Sequence, residues 1–180
     1  FPAWSAMGKM LSDHQRGLDF LETLPNVDAT RLAVIGHSLG GYNSFFLAAF
    51  DDRIRAAVVS CGFTPIARAG RPFAWSRNSW FVHFPALARY LRAGIIPFDM
   101  HEVMALVAPK ALFNYSADAD AIFPDADAIR DGGKRVGEVY GMLGAPADRF
   151  VFVMGQGPHQ FPEDVRKQAY EWIGRQLEGK

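Results

Sequence analysis

Cysteine is almost missing from this sequence: Cys61 is the only one in 180 residues. One cysteine cannot form an intramolecular disulfide, and no cysteine-based zinc site is expected. Neither sign of charge is in excess, with 19 Lys and Arg against 19 Asp and Glu, whereas a nucleic-acid-binding surface calls for a basic surplus. No apolar run approaches the roughly 20 residues of a membrane-crossing helix. Phosphate-cradling patterns are absent: neither Gly-x-x-x-x-Gly-Lys-Ser/Thr nor Gly-x-Gly-x-x-Gly occurs. His101-Glu102 is followed by Ala105 where a zincin needs its second histidine. These gaps lead us to expect no metal, no cofactor, no nucleic acid and no membrane. The chain begins Phe1-Pro2-Ala3-Trp4 with no initiator Met and no visible signal peptide, which assigns no compartment.

What remains is ordinary globular material. Hydrophobic residues make up 49% and charged residues 21%, enough for one domain, residues 1–180, with a real core. Short apolar runs predict buried strands at residues 31–36, 54–60, 110–116 and 149–154. Helical spacing appears over residues 5–24, 39–50, 125–142 and 162–177, although Gly132, Gly133 and Gly137 weigh against the third of these. Asp99 and Glu102 have the spacing of a capping box ahead of Val103. Strands alternating with helices predict an α/β fold with a mostly parallel sheet covered on both faces. Residues 62–100 break the rhythm. Six aromatics fall between Phe63 and Phe84, in a long excursion after a strand end, where α/β proteins build binding surfaces. Phe63, Trp75, Trp80 and Phe81 are therefore candidates to line a substrate pocket. The alternative is a hydrophobic cluster under a loop.

The strongest chemical signal is Gly36-His37-Ser38-Leu39-Gly40-Gly41, between a predicted strand and a predicted helix. That is the setting of a Gly-x-Ser-x-Gly nucleophile turn, with small flanks so that the backbone can pass close and the serine hydroxyl can project. The Leu39 backbone N–H, at the helix start, points where an oxyanion would form. A serine hydroxyl needs a base, and in this architecture the partners follow in the order serine, acid, histidine. His14 precedes Ser38, His37 is expected on the opposite side of the turn, and His83 and His101 come before the third strand. His159, in the loop after the fourth strand, is left as the base. Asp118 and Asp120 both stand where the acid belongs, and alternate residues of an extended loop face opposite ways, so position alone leaves both open. Cys61 reads as a small buried hydrophobe.

Several segments together resemble the dienelactone-hydrolase and acetyl-xylan-esterase-like branch of the α/β-hydrolases. They are Asp13-x-x-Arg16-Gly17-x-Asp19-x-Leu21, Val27-Asp28-x-x-Arg31, the Gly-His-Ser-Leu-Gly-Gly turn, Pro97-Phe98-Asp99-Met100, Leu106-Val107-Ala108-Pro109-Lys110, Asp120-x-Ile122-Phe123-Pro124 and Gly157-Pro158-His159-Gln160-Phe161. The resemblance implies Asp120 as the acid, the four strands as the family's fifth to eighth, and residues 62–100 as a cap or lid. It implies a serine hydrolase acting on small-molecule carboxylic esters through Ser38, His159 and Asp120. Gly-x-Ser-x-Gly-Gly-Tyr also resembles prolyl-oligopeptidase-like enzymes, and an inactive hydrolase-fold fragment is the third alternative. Family members carry further strands ahead of the nucleophile strand. The expectation is therefore an open apolar edge at Leu32, Val34 and Ile35, completed by an N-terminal segment or by a second copy of the chain.

Overall fold

The computed structural model describes residues 4–68, 72–77 and 82–178. Trp80 and Phe81, two of the four candidate pocket residues, lie outside the described residues. Helix α1 (Ala6–Glu22) leads into strand β1 (Leu32–His37), helix α2 (Leu39–Phe50) and strand β2 (Ile54–Ser60). A 3-10 turn (Pro72–Trp75) and helices α3 (Leu87–Arg92) and α4 (Met100–Ala105) come next. Strand β3 (Ala111–Ala117), helix α5 (Ala126–Met142), strand β4 (Phe150–Gly155) and helix α6 (Glu163–Leu177) complete the chain.

The sheet is parallel throughout, in the order β1-β2-β3-β4. Because side chains alternate along a strand, the sheet sorts its residues onto two faces. Ala57, Val59 and Leu112 join the larger core with Phe45, Met104, Ile129 and Val136 of α2, α4 and α5. Ala56, Val58, Phe113 and Tyr115 face Val165, Ala169 and Trp172 of α6. Parallel pairing brings every strand's C-terminal end to one edge, with His37 beside Ser60 and Ser60 beside Tyr115. Candidate site residues therefore gather there. Among the described residues β1 pairs only with β2, so it is an edge strand; of the three residues expected to be open there Ile35 is exposed, but Val34 is half-buried and Leu32 is buried in the core.

Helix α5 forms despite its glycines. A Cβ on Gly132 would stand 2.5 Å from the ring of Phe63, and one on Gly133 would overlap Phe152. The helix gives up roughly 1 kcal/mol of propensity at each glycine so that two aromatic rings can seat against its backbone. This also corrects the expectation for Phe63: it is 0% exposed and part of the core, with no face toward a pocket. Trp75 is also mostly buried. It packs edge-on to Tyr42 and His83 and stacks over Phe123. Phe84 and Phe98 continue the same cluster.

The anticipated capping box is present at α4, and it does more than cap. The buried Asp99 carboxylate accepts from the Met100 N–H at 2.6 Å, the Ile66 N–H at 2.6 Å and the Ala67 N–H at 3.1 Å, while the Asp99 N–H donates to Glu102. One side chain thus ties the loop after β2 to the start of α4. Asp99→Ala strands these donors in a buried place, at about 1–3 kcal/mol for each unsatisfied group. With partial relaxation a net loss of about 3 kcal/mol is expected, and at about 2–4 °C per kcal/mol for this chain length the melting temperature should fall by about 6–12 °C. A differential scanning measurement checks it. A fall under 2 °C would show that the two segments hold together without this carboxylate.

Candidate active site

The turn after β1 is shaped by backbone crowding. A Cβ on Gly36 would overlap the Gly40 carbonyl, and Gly41 closes against Gly62 of the next strand's loop, whereas Gly40 itself has open space. The small residues this turn needs are therefore Gly36 and Gly41, not Gly40. Ser38 sits at φ 56° and ψ −118°, a left-handed position that costs a non-glycine residue of order 1–3 kcal/mol. Its N–H donates to the Ser60 carbonyl at 2.8 Å, and its carbonyl accepts from the Tyr42 N–H at 3.2 Å. Its hydroxyl makes no capping bond to α2. The Leu39 N–H, at the first position of α2, has no backbone partner among the described residues, so it stays available to an incoming oxygen.

The two aspartates after β3 divide their work as alternation predicts. Asp120 turns inward and is 3% exposed. One carboxylate oxygen accepts from the Ile122 and Phe123 N–H groups at 2.7 and 3.0 Å, and the other meets His159 Nδ1 at 2.6 Å. Asp118 turns outward and accepts from the Gly157 N–H at 3.0 Å. With the backbone bonds Asp118 N–H to Gly155 O and Ala119 N–H to Gly157 O, it laces the acid loop to the histidine loop. No hydrogen bond joins Ser38 to His159 among the described residues. Nucleophile–base bonds are often long without substrate and tighten in the Michaelis complex.

His37 is not on the far side of the turn, as the sequence led us to expect. Its ring lies 4.8 Å from that of His159, tilted by 48°, and is nearly parallel to that of Phe161 at 6.5 Å. As the last residue of β1 it points to the sheet face covered by α6. The loop after β4 returns on that face, with Phe161 against Tyr115. Ser60 Oγ, 3.0 Å from His37 Nδ1, fixes the ring. Burial, and then the neighbouring His159, hold the His37 pKa below the usual imidazole range. The ring beside His159 thus resists taking a second positive charge.

Phe123 lies 5.8 Å from the His159 ring, so Trp75, stacked on Phe123, is one aromatic removed from the histidine. The position of Phe123 three residues after the acid was the one sign of this in the sequence. Cys61 is buried as expected, but not among hydrophobes alone. It has φ 45°, its thiol donates to the Gln160 carbonyl at 3.4 Å, and burial, followed by the nearby Asp120 charge, pushes its pKa up to about 11. Leu39 and Ile122 are exposed apolar residues beside the serine and the acid.

No protein-family model matches the chain. It is 26% identical to YtaP of Bacillus subtilis, a protein with a provisional hydrolase name, over 94% of this chain and 54% of that one. It is 26% identical to a 4-O-methyl-glucuronoyl methylesterase of Neurospora crassa, over 87% of this chain and 43% of the relative. A solved glucuronoyl esterase from Solibacter usitatus superposes with a TM-score of 0.82 at 25% identity, covering 96% of this chain and 49% of that one. The chain thus spans about half the length of the proteins it matches. Its parallel sheet, its strained serine between strand and helix, and the superposition with that esterase agree: the chain belongs to the α/β-hydrolase superfamily.

Proposed function

We propose that this chain carries the catalytic triad of a serine esterase, and that its substrates are carboxylic esters whose acid part is a uronic acid. The observation that carries the first half is the 2.6 Å bond between Asp120 and His159, at the sheet edge where the Ser38 turn stands. Ser38 attacks the ester carbonyl, and His159, held by Asp120 in the tautomer with a free Nε2, takes the hydroxyl proton. The Leu39 N–H donates to the developing oxyanion, a contribution of about 2.7–4 kcal/mol by analogy with deletion of single donors. His159 then protonates the leaving alcohol, and water, activated by the same imidazole, releases the acid from the acyl-enzyme. His37, kept neutral, leaves room for the positive charge on His159.

The second half is supported by the names of the relatives, two of which are glucuronoyl esterases. Acetyl esters and dienelactones, the substrates implied by the sequence resemblance, are the comparison set. The free edge of β1 is where a further segment or a second copy would add a strand. A fluorophosphonate probe with mass-spectrometric mapping, followed by kcat/KM for a methyl glucuronate ester, p-nitrophenyl acetate and a prolyl p-nitroanilide, tests the reading. Labelling at Ser38 is expected, with the uronate ester preferred over acetate by about 10-fold or more, as pocket contacts of about 1–3 kcal/mol give. An unlabelled Ser38 sinks the serine esterase, preference for acetate sinks the uronate, and preference for the anilide restores the peptidase alternative.

A further inference from the structure

Three side chains of different chemistry converge at the triad: the Cys61 thiol at the end of β2, the Asp120 carboxylate after β3 and the His159 imidazole after β4. One donor atom from each lies within 4.8 Å of the other two. We infer that Cys61, Asp120 and His159 form a binding site for a thiophilic divalent cation, Zn2+ being the best fitted, and that its occupation shuts the hydrolytic site off.

The ligand chemistry selects the ion. Sulfur, imidazole nitrogen and carboxylate oxygen are the zinc ligand types, whereas Mg2+ and Ca2+ take oxygen. Zn–S bonds of about 2.3 Å and Zn–N or Zn–O bonds of about 2.0–2.2 Å set tetrahedral ligand atoms about 3.2–3.7 Å apart. The set is close to that spacing. Its widest separation must close by about 1 Å, and the Asp120–His159 pair, now at 2.6 Å, must open by under 1 Å. The carboxylate and the histidine sit on loops rather than in strands, and Gly157 stands two residues before His159, so small adjustments do not break the sheet. Charge also favours the ion. A thiolate and a carboxylate neutralise a divalent cation, which suits a place where Cys61 and Asp120 are buried and His159 is partly so.

The binding step balances. The Cys61 thiol loses its proton to solvent and forms the S–metal bond, and Asp120 donates a lone pair. His159 ligates through Nδ1, the nitrogen on the Asp120 side, after its proton moves to Nε2. That last transfer explains the inhibition. Nε2 is the atom that must accept the Ser38 proton, and in the metal-bound tautomer it has no lone pair to offer. The inhibitory consequence rests on the serine-esterase reading; the metal site does not.

The experiment separates the two. In the Ser38→Ala protein, which keeps all three ligands, equilibrium dialysis should find one Zn2+ per chain, and Co2+ should produce a thiolate-to-cobalt absorption band. Cys61→Ala and the isosteric Cys61→Ser, made in that background, should lose the band. They should also weaken Zn2+ by about 100-fold or more, at or beyond the 10–100-fold that loss of an outer partner costs. In the protein with Ser38 intact, Zn2+ should inhibit reversibly, EDTA should restore turnover, and Mg2+ should do nothing. No bound Zn2+, or equal affinity with and without Cys61, overturns the site. Zn2+ bound through Cys61 with undiminished turnover overturns the switch. Zn2+ bound through Cys61 in a chain that fluorophosphonate does not label upholds the site and removes the esterase reading instead.

Discussion

Ser38→Ala is expected to abolish p-nitrophenyl acetate hydrolysis and fluorophosphonate labelling. The loss should be about a million-fold, the order seen when the nucleophile of a serine hydrolase is removed. Ser38→Gly should be equally inactive but more stable than the parent. The reason is the backbone: Ser38 holds φ 56° and ψ −118°, a conformation that costs a residue with a Cβ of order 1–3 kcal/mol and glycine far less. Against this, glycine adds unfolded-state freedom of roughly 0.5–1 kcal/mol. The net gain is about 1 kcal/mol, a rise in melting temperature of about 2–4 °C for a chain of this size. Ser38→Ala keeps the strain and should melt near the parent. The pattern of lost activity in both variants with gained stability in glycine alone marks strain retained for function. Turnover surviving in purified Ser38→Ala would remove Ser38 as nucleophile. A Ser38→Gly protein less stable than the parent would show that the turn is held by the serine side chain rather than against it.

The fold was legible wherever pattern is local. Four apolar runs became four parallel strands, shifted by a residue at most ends, because a buried parallel strand announces itself as a short run of Val, Ile, Leu and Ala. The tight turn after β1 was legible for the same reason, since Gly36 and Ser38 satisfy a constraint made within five residues, whereas Gly41 answers to Gly62 on the next strand's loop. What could not be read locally was how loops from different strands meet. Asp118 and Asp120 were equivalent by position, and only the family resemblance chose between them; the structure separates them by burial and by partner. His37 was assigned to the wrong side, because its neighbours Ser60 and Phe161 lie 23 and 124 positions away. Cys61 read as a filler residue, because nothing near it in the sequence shows that its thiol lies within 4.8 Å of Asp120 and His159. The glycines of α5 argued against a helix until Phe63 and Phe152 were seen to occupy the space. Phe63 itself was assigned to a pocket because aromatic density cannot distinguish a lining from a core.

The distinction between the two aspartates gives the second large effect. Asp120→Asn should lower kcat by about 10,000-fold, the magnitude found when a triad aspartate becomes an amide, while Asp118→Asn should change it less than about threefold, a difference within the range of a surface substitution. In Asp120→Asn, the amide oxygen can still accept from the Ile122 and Phe123 N–H groups that hold the native carboxylate, so the loop keeps its shape. The amide NH2 is then left facing His159 Nδ1. It can only donate there, which forces the imidazole proton onto Nε2, the atom that has to receive the Ser38 proton. The substitution also removes the negative charge that stabilises the imidazolium once it forms. Asp118→Asn has neither consequence, because its partner is the Gly157 N–H and an amide oxygen accepts from an N–H as a carboxylate does. The comparison is informative because both residues are aspartates two positions apart on one loop, and both bond the histidine segment. If the two effects traded places, the buried Asp120–His159 bond would be a structural lace and the exposed Asp118 the acid, and the mechanism would have to be rebuilt around a histidine turned outward.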